Sequence, residues 1–117
     1  INVPSIEHVD LIYQLGSVSG RDVDKIREFG IKLVPSDAVK VPTWEDAIAV
    51  YETRVMNKFD VGESTLFVFE VLKVRVKPGV ADEWSIDFGK TNIPLHGAGR
   101  VFHRVDPRKV FARKPLK

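Results

Sequence analysis

Residues 47–76, AIAVYETRVMNKFDVGESTLFVFEVLKVRV, have the composition of two long β-strands joined by a tight turn. β-Branched and aromatic residues, which pack well on a pleated surface, dominate both halves. Between the halves, Gly62 in DVGE supplies the backbone freedom that a sharp bend requires. The stretch therefore predicts a β-hairpin, and the rest of the fold is built around it.

Apolar side chains occupy both faces of the first half of the second strand. Phe67 and Phe69 share one face, whereas Val68 lies on the other, so we expect Phe67 and Val68 to be core residues. Further along, Lys73 and Arg75 take the positions that continue the aromatic face. The first half of this strand is therefore predicted to be covered on both faces, and the second half on one face only.

Glu70 interrupts the apolar pattern of the second strand. A turn centred near Gly62 places Arg54 of the first strand opposite Glu70. Opposite charges at facing positions commonly form a structural ion pair. We favour this pair over the alternative, which is a catalytic carboxylate at Glu70.

Two short helices are predicted before the hairpin. Residues 5–16 carry apolar residues at helical spacing after a possible N-cap at Ser5. A second helix is expected from about Arg21 to Phe29, with Ser19 as its cap. Together with a last strand at 100–105, these elements indicate a mainly β or α+β fold.

Composition excludes several classes of protein. The chain has 117 residues, enough for one domain, and its 44% hydrophobic and 29% charged residues are typical of a soluble globular protein. No apolar run is long enough to span a membrane. Cysteine is absent, which excludes disulfides and thiolate metal sites and fits a reducing compartment and a source that grows at high temperature equally well. We expect a cytoplasmic location. The three histidines fall in separate elements, so no metal site is expected.

The end of the chain is strongly basic although the net charge is only +2. Seven Lys and Arg residues lie from Arg100 to Lys117, against the single acid Asp106. We expect a domain over residues 1–106 and a solvated basic tail over 107–117. A nucleic-acid surface is the less favoured alternative, because no aromatic stacking motif accompanies the charge.

Residues 16–25, GSVSGRDVDK, bring together hydroxyl groups, free backbone N–H groups and two cations. Such groups at a helix start hold anions, phosphate in particular. The candidate anion-binding residues are Ser17, Ser19, Gly20, Arg21 and Lys25.

Arg21 and Lys25 are spaced four residues apart in the first turns of the predicted helix. Like charges at this spacing repel each other, and cations there oppose the helix dipole. A bound anion would offset that cost. Ion pairs of Arg21 with Asp24 and of Lys25 with Glu28 would instead give an ordinary charged helix, and the local chemistry leaves both readings open.

The segment GSVSGRDVDKIREFGIKLVPSD, residues 16–37, resembles the Gly-x-x-Ser-Gly-Arg-x-x-Asp-Lys segment of flavin reductase-like, FMN-binding split-barrel proteins. Three other segments resemble that family in the correct order: INVPS at 1–5, the hairpin at 51–76, and IPLHGAGRVF at 93–102. The resemblance covers nearly the whole chain and corresponds to the C-terminal three-fifths of such a domain.

The resemblance implies a Greek-key split β-barrel with two short helices, incomplete at its N-terminus, and a homodimer. It implies FMN as cofactor, with FAD possible, and NADH or NADPH as co-substrate in flavin reduction. Ser17, Ser19, Gly20, Arg21 and Lys25 would then bind the flavin or its phosphate. His96 would be a hydrogen-bond donor, and Gly97, Arg100 and Phe102 would line the ring or nicotinamide side. The alternative is a flavin-binding electron-transfer or structural dimer module without turnover.

Overall fold

The computed structural model describes residues 1–116, so that Lys117, the last residue of the predicted tail, lies outside the described residues. Within these residues, two helices and seven strands follow one another. They are β1 (Asn2–Val3), α1 (Val9–Ser17, preceded by a 3₁₀ turn at Ile6–His8), α2 (Lys25–Glu28), β2 (Leu33–Val34), β3 (Thr43–Trp44), β4 (Ala49–Val61), β5 (Ser64–Val76), β6 (Leu95–His96) and β7 (Phe102–His103).

The strands form three antiparallel sheets with open edges. The largest has the order β1-β4-β5, and the pairs β2-β3 and β6-β7 form the other two. This arrangement, mainly β with two short helices, confirms the predicted fold class. No helix within residues 1–116 is both long and apolar enough to cross a membrane.

The β4-β5 pair is the predicted hairpin. Val61 pairs with Ser64 across the turn, and Gly62 has a φ of 60°, a left-handed conformation that glycine adopts without steric cost. Arg54 lies opposite Glu70, and their side chains form an ion pair. Both predictions are confirmed.

Two β-bulges interrupt the hairpin. The register shifts between Glu52 and Thr53 and again between Val55 and Asn57, so Leu72 and Met56 have no residue directly opposite. Each extra residue reverses the alternation of side chains on its own strand. The assignment of residues to faces from a strict period of two therefore fails beyond each bulge.

The buried core is small and lies at the base of the hairpin. Ala47, Ile48, Ala49 and Val50 are its buried apolar residues. The prediction that Phe67 and Val68 are core residues is wrong for the single chain, where their exposed fractions are 46% and 43%. The two 13-residue strands extend past the loops and β1, which cover only their base, and the molecule measures 58 Å along one axis against 33 and 32 Å.

The second helix begins later than predicted. It starts at Lys25, and its N-cap is Asp24, whose side chain accepts the N–H of Arg27 at 3.3 Å. Ser19 instead closes the preceding turn, where its backbone C=O accepts the N–H groups of Asp22 and Val23. A carboxylate that accepts a free N–H at a helix start is a strong cap, so the helix starts after Asp24. The residues from Ser19 to Val23 form a turn in front of it.

The first part of the predicted basic tail contacts the domain. The Lys109 Nζ lies 2.8 Å from Asp82 Oδ2, and the rings of Trp84 and Phe111 meet edge to face at 5.6 Å. Val110, which lies between Lys109 and Phe111 in the sequence, is 94% exposed. The tail thus has a defined docking place, although most of its surface faces solvent.

This docking is expected to weaken in acid. The hydrogen bond from Lys109, with those from the N–H groups of Ser85 and Trp84, lowers the pKa of Asp82 to about 2. Since this lies below the usual Asp value of about 4, the contact is favoured above that value and lost as the pH falls from about 4 to about 2.

An NMR titration that follows the Trp84 indole signal would measure this loss. A Lys109→Met variant provides the matched control, because its signal should lie near the undocked position at every pH. A wild-type signal that does not move between pH 5 and pH 2 would contradict the prediction.

Candidate functional site

Helix α1 and the β6-β7 pair enclose an open cavity of about 470 Å³, here called the larger cleft. Three residues predicted to bind a cofactor or to act in catalysis line it, namely Ser17, His96 and Phe102. They come from opposite ends of the chain, and the fold brings them together. The other lining residues are Pro4, Ile12, Tyr13, Gly16 and Pro94.

A second cavity of about 310 Å³, here called the smaller pocket, lies beside the larger cleft. Arg100, another predicted site residue, lines it together with Asp10, Gln14 and Val9. Tyr13 and Phe102 line both cavities, so they form the boundary between them.

The turn between β6 and β7 positions the two aromatic rings of the site. Gly99 has a φ of 58°, which reverses the chain, and the rings of His96 and Phe102 stack with centroids 4.7 Å apart. A Cβ at Gly97 would lie 3.3 Å from both Val101 O and His103 Nε2. Gly97 therefore lets the two strands approach closely. The segment leads into β7, which is shorter than the last strand predicted over residues 100–105.

The hydrogen bond made by His96 defines what its ring can offer a ligand. Its Nε2 lies 2.7 Å from the backbone oxygen of Gly99, and a carbonyl oxygen can only accept. Nε2 therefore carries a proton, and in the neutral ring Nδ1 is an acceptor. The donating nitrogen of the neutral ring is thus already used by Gly99 in this structure.

Asn92 attaches this end of the fold to the residues before α1. Its side chain accepts the Val105 N–H at 2.9 Å and donates to the Val105 carbonyl at 2.8 Å. Its own backbone carbonyl accepts the N–H of Ile6 at 2.8 Å. Asn92 is 4% exposed, and this buried, fully used amide was missed because a lone Asn in a loop gives no sequence signal.

Lys25 has a structural partner at the end of α1. Its Nζ donates to the backbone oxygen of Leu15 at 2.6 Å, and a Cβ at Gly20 would lie 3.9 Å from the Lys25 Cε. A cation at a helix C-terminus satisfies a free carbonyl and the negative end of the dipole. Ser17, the last residue of α1, donates through its Oγ to the carbonyl of Tyr13 at 2.7 Å.

The turn after α1 holds the remaining predicted anion-binding residues. Ser19 Oγ accepts the N–H of Arg21 at 3.2 Å. Within residues 1–116, neither Arg21–Asp24 nor Lys25–Glu28 forms an ion pair. Ser19, Gly20, Arg21 and Lys25 line neither cavity, whereas Ser17 lines the larger cleft, so one of the five predicted anion-binding residues reaches it.

Tyr13 was not predicted as a site residue. The helical pattern assigned it to the apolar face of the first helix, where an aromatic residue is usually part of the core. In the structure its exposed fraction is 41%, and it lies at the boundary of the two cavities. Tyr13 lies at this boundary because β7 packs beside α1, and the sequence of α1 alone gives no information about that packing.

Proteins of similar sequence and structure were found. The flavin reductase like domain matches residues 1–105. An uncharacterized protein from Pyrococcus abyssi is 38% identical over 101 residues, which are 86% of this chain and 55% of that protein.

Among solved structures, an FMN-binding protein from Thermus thermophilus with bound p-hydroxybenzaldehyde is 25% identical with a TM-score of 0.78, over 95% of this chain and 59% of that one. The flavoredoxin of Desulfovibrio vulgaris is 23% identical with a TM-score of 0.77, over 97% and 60%. The chain thus spans just over half to three-fifths of the length of these proteins. The structural likeness confirms the predicted split-barrel fold. Because the domain match covers nearly the whole chain, this protein belongs to the flavin reductase-like domain family.

Proposed function

We propose that this protein is an NAD(P)H-dependent flavin reductase that transfers a hydride from the nicotinamide to FMN. One observation carries the proposal: in a domain of the flavin reductase-like family, Ser17, His96 and Phe102 converge on one cleft from distant parts of the chain. A cytoplasmic location is part of this proposal.

The residues present fit a flavin nucleotide. The stacked rings of His96 and Phe102 offer a flat surface for a planar ring, and Arg21 has no carboxylate within ion-pair distance among residues 1–116, which leaves its charge for a phosphate. Bound FMN would supply the hydride chemistry, and the protein would bind and orient it. The similar Thermus thermophilus protein is described as FMN-binding, which supports the same cofactor here.

Titration of the purified protein with FMN, followed by flavin fluorescence, tests binding. Anaerobic oxidation of NADH or NADPH in the presence of FMN then tests turnover. FMN binding with oxidation that depends on the protein is expected. Binding without oxidation would favour the electron-transfer alternative, and failure to bind any flavin would overturn the proposal.

We further propose that the protein is a homodimer that covers the β4-β5 hairpin. Large apolar side chains on both strands are at least 38% exposed in the single chain, and water-exposed apolar surface of this extent is typical of an interface. These residues are Tyr51, Val55, Met56, Phe59, Val61, Leu66, Phe67, Val68, Phe69, Val71, Leu72, Val74 and Val76.

Light scattering at micromolar concentration is expected to give the mass of a dimer. Phe67→Glu should shift it to the monomer mass, because it places a charge on the apolar surface. Lys90→Glu is the control, because Lys90 is exposed and lies outside the hairpin, and this variant should stay dimeric. A monomeric wild-type protein, or equal effects of the two substitutions, would contradict the proposed interface.

A further inference from the structure

Asn92 directs its whole side-chain amide at the backbone of its own chain. Its Oδ1 accepts the N–H groups of Ile93 and Val105, both at 2.9 Å. Its Nδ2 donates to the carbonyl of Val105 at 2.8 Å and to that of Phe88 at 3.4 Å. The residue is 4% exposed. A side chain of this length that both donates two hydrogen bonds and accepts two must be an amide, so this place in the fold requires Asn.

This amide clamps the open end of the β6-β7 pair. Ile93 lies two residues before β6 and Val105 two residues after β7, so the amide joins the strands at the end away from their turn. The pair itself contains only two facing residue pairs, one of which is His96 with Phe102. Because a two-stranded ladder is at best marginally stable by itself, the clamp helps to hold these two rings in place.

The backbone of Asn92 is joined to the opposite side of the larger cleft. Its carbonyl accepts the N–H of Ile6 at 2.8 Å, and Ile6 begins the 3₁₀ turn that leads into α1. Helix α1 forms one wall of the larger cleft, and the β6-β7 pair forms the other. Asn92 therefore lies where the two walls are connected, although it lines neither cavity itself.

We propose that Asn92 is a positioning residue of the flavin site, which fixes the β6-β7 wall relative to the α1 wall without contacting the ligand. A planar ligand benefits from the rings of His96 and Phe102 only when both walls are held at the right separation. The effect on flavin binding rests on the proposed function, whereas the fixing of the two walls does not.

Amide hydrogen exchange followed by NMR tests the fixing of the walls without any ligand. Asn92→Ala should raise the exchange rates of the Gly97 and Ile6 amides about tenfold, since each wall loses its connection through the clamp. The Gly97 N–H donates to Val101 O and the Ile6 N–H to Asn92 O, so the substitution removes neither acceptor. A rise at these two amides therefore reports movement of the walls and not the loss of a partner.

Thr43→Val is the matched control. Thr43 is also buried, at 5% exposure, it accepts one hydrogen bond from Arg75, and it lines neither cavity. This variant should raise the exchange rate of the Lys77 amide, which donates to Ile48 O at the base of the hairpin, and leave the two cleft amides within about twofold. Asn92→Ala should give the reverse pattern.

Two results would overturn the proposal. Equal rises at the cleft amides and at Lys77 in Asn92→Ala would show that Asn92 stabilises the fold as a whole, and unchanged rates at the cleft amides would show that it positions neither wall. If Asn92→Ala does not fold, Val105→Pro decides by the same pattern, because it removes only the N–H that Asn92 Oδ1 accepts. A rise of about threefold is then expected at the cleft amides.

Fluorescence titration with FMN and riboflavin tests the consequence for the ligand. Asn92→Ala should weaken the binding of both flavins equally, by about fivefold, because they share the ring that the cleft would hold. Thr43→Val should leave both affinities within about twofold. Unchanged flavin affinities in Asn92→Ala would overturn the role of Asn92 in the site. A wild-type protein that binds no flavin would overturn the reductase proposal instead, and the exchange pattern alone would then decide whether Asn92 fixes the walls.

Discussion

Replacing Arg75 by Met is expected to lower the free energy of unfolding by about 3 kcal/mol, because it leaves the carboxylate of Glu52 buried without a counter-charge. The Glu52 side chain is fully buried, and its Oε2 lies 3.3 Å from Arg75 Nε. Loss of one partner from a buried pair typically costs 3–5 kcal/mol. We expect the lower end, because the Arg75 side chain keeps 33% of its surface exposed.

This pair attaches a loop to the hairpin. Glu52 Oε1 accepts the N–H of Ala38 at 2.6 Å, and Arg75 Nη2 donates to Thr43 Oγ1 at 2.9 Å. Glu52 Oε2 and Arg75 Nε are both buried without a well-aligned hydrogen bond, so their attraction is mainly that of two charges. The segment from residue 38 to residue 43 thus depends on Glu52 and Arg75 for its position.

Lys73→Met is the matched control. Lys73 pairs with Asp37 at 2.8 Å, but both side chains are about half exposed, so its loss should cost less than about 1 kcal/mol. In the double variant Glu52→Gln/Arg75→Met no buried charge remains, and part of the loss should be recovered. Urea unfolding measures all three variants. Equal costs for Arg75→Met and Lys73→Met would show that Glu52 does not need its partner.

The hairpin was predictable because its signals are local. A run of β-branched and aromatic residues, a glycine at the turn and opposite charges at Arg54 and Glu70 all depend on sequence separation alone. The bulges at Met56 and Leu72 have no such signal. They depend on how β4 and β5 pair with each other, and they move the side chains that follow to the opposite face of the sheet.

Burial was harder to predict than strand formation. The apolar pattern at Phe67 and Val68 correctly indicates a strand, but within residues 1–116 both side chains stay about half exposed. The start of α2 was misjudged for another reason, since both Ser19 and Asp24 are good caps and only the folded turn decides between them.

Part of the candidate site followed from the family resemblance. Ser17, His96 and Phe102 were predicted as site residues, and the structure brings them into one cleft. Tyr13 and Asn92 were not, because their roles depend on packing between α1 and the β6-β7 pair. Whether the predicted residues bind flavin stays a prediction, and Arg21 offers the sharpest test of it.

Replacing Arg21 by Gln is expected to weaken FMN binding by about 1.5–3 kcal/mol, the usual contribution of a charge-assisted hydrogen bond. The structure places Arg21 three residues before the N-cap Asp24 of α2, a helix of four residues, so the helix dipole opposes its charge only weakly. Within residues 1–116 it forms no ion pair whose loss would affect the protein without ligand. The free energy of unfolding without flavin should therefore change by less than about 0.5 kcal/mol.

Two comparisons make this result specific. Riboflavin lacks the phosphate, so its binding should be much less sensitive to Arg21→Gln, and fluorescence titration with both flavins measures the difference. Lys25→Gln should behave differently, because Lys25 donates to Leu15 O, and its loss should cost about 1 kcal/mol of stability even without flavin. Equal losses for FMN and riboflavin would place Arg21 at the ring. Unchanged FMN affinity with a destabilised protein would show that Arg21 serves the fold and not an anion.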